Sequence, residues 1–65
     1  MKKMVKELRT EQRLSQKELS KKADIPYQTL VAYDNMYRVP PVDKGIKIAK
    51  ALKTTAENII WTKED

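Results

Sequence analysis

Apolar residues recur at helical intervals from the start of the chain. Met1, Val5 and Leu8 share one helical face, and Met4 with Leu8 adds a pair four residues apart. The spacing predicts a first helix from about Lys3 to Arg13. Leu14 then leads into Ser15-Gln16-Lys17-Glu18, which has the form of a capping box. In that motif the serine hydroxyl accepts from the glutamate amide and the glutamate carboxylate accepts from the serine amide. Leu14, just ahead of the cap, is placed to staple onto Leu19, four residues into the helix. A second helix follows to Lys22 or Ala23, with Leu19 and Ala23 inward. Pro26 has a fixed φ and no N–H, so it suits the first turn of a helix and breaks the middle of one. Ala23-Asp24-Ile25-Pro26 is therefore a break, and a third helix runs from Tyr27 to Asn35 with Leu30 and Tyr33 inward.

The two prolines of Met36-Tyr37-Arg38-Val39-Pro40-Pro41 exclude a helix there. Pro41 can open a fourth helix, in which Val42, Ile46, Ala49 and Leu52 form one apolar stripe. Gly45 within it is a local weakness of about 1 kcal/mol relative to Ala; it either admits a close approach or has no role. Lys53-Thr54-Thr55 interrupts the pattern. Thr55 is then placed to cap a short last helix carrying Ile59, Ile60 and Trp61, and residues 62–65 are expected to fray. There is no internal repeat, low-complexity stretch or strand pattern. The expected fold class is all-α, a compact bundle of about five short helices in one domain over residues 1–65.

Sixty-five residues allow one small domain. A fold of this size buries only about 60% of its unfolded surface, which implies a stability of a few kcal/mol. The chain has no Cys and no His. Disulfides and thiolate metal sites are excluded, and the commonest nucleophile, general base and zinc ligands are missing. Glu7 and Glu11 share a helix face, but surface acids of that kind are usual. An enzyme is not expected, nor is a metal or a cofactor. No apolar run approaches the ~20 residues of a membrane span, and no apolar core follows the basic Met1-Lys2-Lys3 start. The expectation is a cytoplasmic protein.

The net charge of +5 is unevenly placed. Residues 1–22 hold eight basic and three acidic side chains, whereas residues 23–65 hold six of each. Such a basic segment is either a solvated helix face or a patch that meets phosphates. Pro26 to Tyr33 carries no charge but does carry Gln28, Thr29 and two tyrosines. An uncharged, amide-bearing segment beside a basic one suits base-edge reading next to phosphate anchoring. The predicted helices at 15–23 and 26–35, joined by a tight turn, have the spacing of a helix-turn-helix, whose second helix enters the major groove.

Here the chain resembles a known family. Leu8-Arg9, Leu14-Ser15-Gln16-Lys17-Glu18-Leu19-Ser20, Thr29-Leu30, Asp34-Asn35, Pro40 and Ile48-Ala49-Lys50-Ala51-Leu52 fall in one order and spacing. They resemble the lambda-repressor-like helix-turn-helix proteins, the Cro and phage-repressor group of bacterial transcription regulators, over nearly the whole chain. The resemblance implies that Gln16, with Lys17 beside it, grips a phosphate at the start of the second helix, where free N–H groups favour an anion. It implies that Tyr27 and Gln28 are the main base-reading pair. A Gln can bond adenine N6 and N7 together, worth about 1–3 kcal/mol of discrimination. Val31 and Ala32, one turn on, would pack on a thymine methyl. Asn35 and Arg38 match loop residues that hold the DNA backbone. Apart from the resemblance, Lys44 lies in the first turn of the fourth helix, where the dipole disfavours a cation and a nearby phosphate would relieve it, so it is a further expected phosphate contact. Arg9 and Asp34 match an Arg–acid pair linking the first helix to the end of the third. Lys2, Lys3 and Lys6 would add diffuse attraction.

Three positions depart from the family pattern. Asp24 stands where the turn usually has Gly, Pro26 replaces the usual Ser or Thr cap, and Met36 stands where a Gly normally ends the third helix. None removes a type of DNA contact; together they bear on the docking angle of the recognition helix.

The function implied is a sequence-specific double-stranded DNA-binding regulator, a repressor of phage, prophage or mobile-element type. It would bind a palindromic operator as a weak homodimer, with recognition helices about 34 Å apart and a dimer seam at Ile59, Ile60 and Trp61. No small-molecule ligand or membrane partner is expected. The alternative is a protein-interaction module on the same scaffold, an antitoxin or anti-repressor, with Tyr27, Tyr37 and Trp61 as aromatic anchors.

Overall fold

A computed structural model describes residues 2–62. The elements run β1 (Lys3–Met4), α1 (Val5–Glu11), α2 (Gln16–Ala23), α3 (Tyr27–Asp34), α4 (Val42–Ala51), a 3-10 helix (Ala56–Asn58) and β2 (Ile59–Ile60). The described residues are mostly helical, with four α-helices, one short 3-10 helix and a small strand pair in place of five helices.

Both ends of the chain differ from expectation for one reason. β1 pairs with β2 in parallel, Lys3 opposite Ile59 and Met4 opposite Ile60. The first helix therefore starts at Val5, and the segment expected as a last helix is a three-residue 3-10 turn followed by a strand. Two adjacent β-branched isoleucines suit a strand, but a two-residue strand carries no readable periodicity. Its partner lies at the far end of the sequence. Thr55 does not cap with its side chain; its hydroxyl accepts from Asn58 Nδ2 at 3.0 Å. Residues 63–65 of the tail expected to fray lie outside the described residues, as does Met1.

The capping box at Ser15 is present. Ser15 Oγ accepts from the Glu18 amide at 3.0 Å, and Glu18 Oε1 accepts from the Ser15 amide at 2.9 Å. Leu14 packs against the core cluster that contains Leu19. That core joins Val5, Leu19, Ala23, Ile25, Leu30, Tyr33, Ile48, Ala49, Leu52 and Ile59 from every layer of the fold. Gln12 fastens two helix ends, its Nε2 donating to the Leu52 carbonyl at 2.7 Å.

The fourth helix is rotated from the expected stripe. Ala49 and Leu52 are buried, but Val42 is 80% exposed and Ile46 43%. Gly45, Ile48 and Ala49 face inward instead. Gly45 has no apolar side chain to announce it as a core position, so hydropathy favoured its neighbours. A Cβ at Gly45 would meet the Trp61 ring at 3.6 Å, an ordinary contact, so the glycine is not forced by that approach.

All four α-helices end the same way, on a residue in the left-handed region. These are Arg13 (φ 57°), Asp24 (φ 56°), Met36 (φ 63°) and Lys53 (φ 59°). After each, the chain turns back and its amides bond the last-turn carbonyls: Leu14 to Arg9, Ile25 to Ser20, Tyr37 to Ala32 and Thr54 to Ala49. This is the Schellman closure, built here without glycine. No helix of the described residues is long and apolar enough to cross a membrane.

Candidate nucleic-acid interface

α2 and α3 are joined by Asp24-Ile25-Pro26, with Asp24 taking the left-handed turn that a glycine would take without strain. α3 buries Leu30, Tyr33 and Asp34. At 3.6 residues per turn, the opposite face carries Gln28, Val31, Ala32 and Asn35. Gln28 is exposed and the other three are half-buried. Tyr27, at the helix start, is 49% exposed. Pro26 supplies no side-chain cap to this helix.

Gln28, Thr29, Ala32 and Arg38 line one open concavity. The linker after α3 thus brings a guanidinium back beside the outward face of that helix. Across the turn, Lys21, Pro26 and Tyr27 line a second concavity with Asp24 and Ile25. Thr29 and Lys21 were not among the expected site residues. Thr29 lies inside the uncharged stretch next to Gln28, and Lys21 is one of the basic residues of the first third; the folded turn adds what the sequence lacked, their placement.

The outward face of α3 is without charge. Its one charged residue, Asp34, is turned into the protein, with its side chain fully buried. Arg9 Nε donates to Asp34 Oδ1 at 3.1 Å, Arg9 Nη2 to Oδ2 at 3.4 Å, and Arg9 Nη1 to the Leu14 carbonyl at 2.8 Å. One side chain of α1 so ties the end of α3 to the entry of α2. Gln16, the first residue of α2, joins the same carboxylate: its Nε2 donates to Asp34 Oδ2 at 2.9 Å. Lys17 and Arg38 are exposed, and Lys44 is half-buried in the first turn of α4. Glu18 has its carboxyl held below the usual range, first because it accepts from the Ser15 backbone amide and then through the Ser15 hydroxyl. Lys3 is held above its usual value by a hydrogen bond and ion pair with Glu11.

The expected dimer seam needs correction. Ile59 is 3% exposed and belongs to the core, so it offers no surface to a second chain. Ile60 and Trp61 are half-buried. Trp61 packs on the core, and its Nε1 donates to the Ala56 carbonyl at 3.1 Å. Ile59 and Trp61 thus serve the protein's own core. Trp61 is therefore not a free aromatic anchor either. Among the described residues, the exposed large apolar ones are Tyr27, Tyr37, Val39, Val42 and Ile46.

Helices α2 and α3, the tight turn and the uncharged outward face of the second helix define a helix-turn-helix protein of the lambda-repressor type. The chain belongs to that family: the profile described as helix-turn-helix matches residues 5–59. The chain is 34% identical over 65 residues to the Bacillus subtilis (strain 168) protein named "Uncharacterized HTH-type transcriptional regulator YgzD". That match covers 100% of this chain and 98% of the relative. No solved structure matches the chain.

Proposed function

We propose that the protein is a sequence-specific regulator of transcription, a repressor of phage, prophage or mobile-element type, that lays α3 in the major groove of double-stranded DNA. The observation that carries this reading is the uncharged face of Gln28, Val31, Ala32 and Asn35, with Arg38 folded back beside it. A face free of charge can approach base edges, while the basic groups around it neutralise phosphates. Gln28 reads a base, Tyr27 flanks it, and Val31 and Ala32 meet a thymine methyl. Gln16, Lys17, Asn35, Arg38 and Lys44 hold the backbone. The protein acts in the cytoplasm, on the nucleoid.

The test is selection from a random duplex pool with the purified protein near physiological salt. An enriched short site is the expected result, with affinity falling at a log–log salt slope of about −5 for six or so phosphate contacts. Gln28→Ala should abolish the preference at one base pair without unfolding the chain. Retention of DNA with no enrichment overturns the reading and turns the search to a protein partner.

The reading includes a palindromic operator bound by a weak two-fold homodimer. The seam that supports it is the groove whose lining includes Val42, Ile46, Ala49 and Ala56 together with Lys50 and Glu57. Val42 and Ile46 are exposed there, small residues share the lining, and the lining carries one charge of each sign. A two-fold axis needs such a self-complementary surface, because each copy must supply both halves of every contact. The chain exposes 4716 Å², so a standard interface of about 800 Å² per partner would take about a sixth of it. Sedimentation on a palindromic duplex should show two chains bound. Val42→Glu, which places an acid in the first turn of α4 where the helix dipole favours it, should leave the monomer folded and reduce this to one.

A further inference from the structure

The carboxylate of Asp34 accepts three side-chain hydrogen bonds. Its side chain is fully buried and accepts two bonds from Arg9 and one from Gln16. Two of those bonds suffice for an Arg–acid pair between α1 and α3. The third does something else, because Gln16 opens α2 on the side of the molecule assigned to phosphate.

We infer that Asp34 is a positioning residue for Gln16: it fixes the orientation in which the Gln16 carboxamide meets a DNA phosphate. The inference rests on the major-groove reading given above. A carboxylate only accepts hydrogen bonds, so it can hold the nitrogen end of a carboxamide and rejects the oxygen end. The 2.9 Å bond therefore selects one of the two amide flips. A primary amide nitrogen has two N–H groups; one is spent on Asp34 and the second remains for an anion. Arg9 prevents the carboxylate from turning to follow Gln16, because it grips both oxygens and is itself anchored on the Leu14 carbonyl. The glutamine rotamer is thus set during folding rather than during binding, where ordering a long side chain weakens affinity. Gln28, by contrast, is exposed, so Gln16 is the amide prepared in advance.

The experiment uses the full chain and a duplex carrying the site enriched by selection. Dissociation constants are measured for the wild type, Gln16→Ala, Asp34→Asn and the double variant. Asp34→Asn should weaken binding by roughly three- to ten-fold, the range for loss of one ordered side chain. It should add nothing in the Gln16→Ala background. Gln16→Asn, like Gln16→Ala, leaves the Arg9–Asp34 pair intact. It keeps the amide but shortens the arm by one methylene, and should bind as poorly as Gln16→Ala. In the DNA-free protein, the Gln16 side-chain amide should be rigid by nitrogen relaxation, and the Gln28 amide mobile. Additive losses from Asp34→Asn and Gln16→Ala overturn the inference, since Asp34 would then act only by holding the fold. Wild-type affinity in Gln16→Asn, or a mobile Gln16 amide, overturns it as well and leaves the major-groove reading standing. A wild-type chain that enriches no duplex overturns both.

Discussion

α2 and α3 are neighbours of equal length, eight residues each, and are stabilised in opposite ways. α2 carries its own instructions: a capping box at Ser15 and Glu18, a clear apolar face, and Lys21 and Lys22 in the last turn, where the helix dipole favours cations. α3 has no side-chain cap, no acid in its first turn, no base in its last and nearly even hydropathy around its circumference. Short helices with few local signals depend on tertiary contacts. For α3 those contacts are Leu30 and Tyr33 in the core and Asp34 on Arg9. The difference is that α2 is specified by its own residues, whereas α3 is held by what it buries.

The largest expected effect breaks α3 at its tie. Arg9→Ala leaves the buried Asp34 carboxylate without its cation, and breaking a buried pair from one side costs about 3–5 kcal/mol. For a domain stable by a few kcal/mol, circular dichroism at 25 °C should show a largely unfolded chain. The matching lesion in α2 is milder. Ser15→Ala removes the cap and should cost about 1 kcal/mol, read as a lower denaturation midpoint at unchanged m-value.

A smaller change has the opposite sign. The left-handed residue after α4, Lys53, is exposed and strains a backbone that glycine adopts freely. Lys53→Gly should raise stability by about 0.5–1 kcal/mol. Asp24→Gly, after α2, should gain less, because Asp tolerates this region better than Lys. Thermal melts of the two variants rank them.

The smallest effect is the pH dependence of the α2 cap. The folded Glu18 carboxyl is held below its unfolded value by the Ser15 amide. Its contribution is therefore complete above the unfolded pKa of about 4.3 and is lost as pH falls through the lower folded value. The melting difference between wild type and Glu18→Gln should be constant near neutrality and shrink below pH of about 4.

What could be read in advance follows the same division. The start of α2, its end on a left-handed Asp24 and the break at Pro26 are local chemistry, carried by residues a few positions apart. Of α3, the inward Leu30 and Tyr33 were legible, while the outward positions came from the family resemblance, because hydropathy around this helix is nearly even. The orientation of α4 was not legible: Val42–Ile46 and Ile48–Leu52 are both apolar pairs four apart, and only packing against α2 and Trp61 chooses between them. Nor was the β1–β2 pair, whose partners sit at opposite ends of the sequence. Among the site residues, sequence placed Gln16 at a helix start but gave no sign that its amide is already engaged by Asp34, eighteen residues away.

The strand pair that joins the chain ends has a mechanical consequence. β1 and β2 run parallel, so a pull on the two ends of the polypeptide acts in opposite directions along the ribbon. Both residue pairs carry that load together, in shear, instead of parting one after the other as a peeled hairpin does. Tension applied through these two strands therefore loads the clasp before it reaches the helices that lie between them in the sequence.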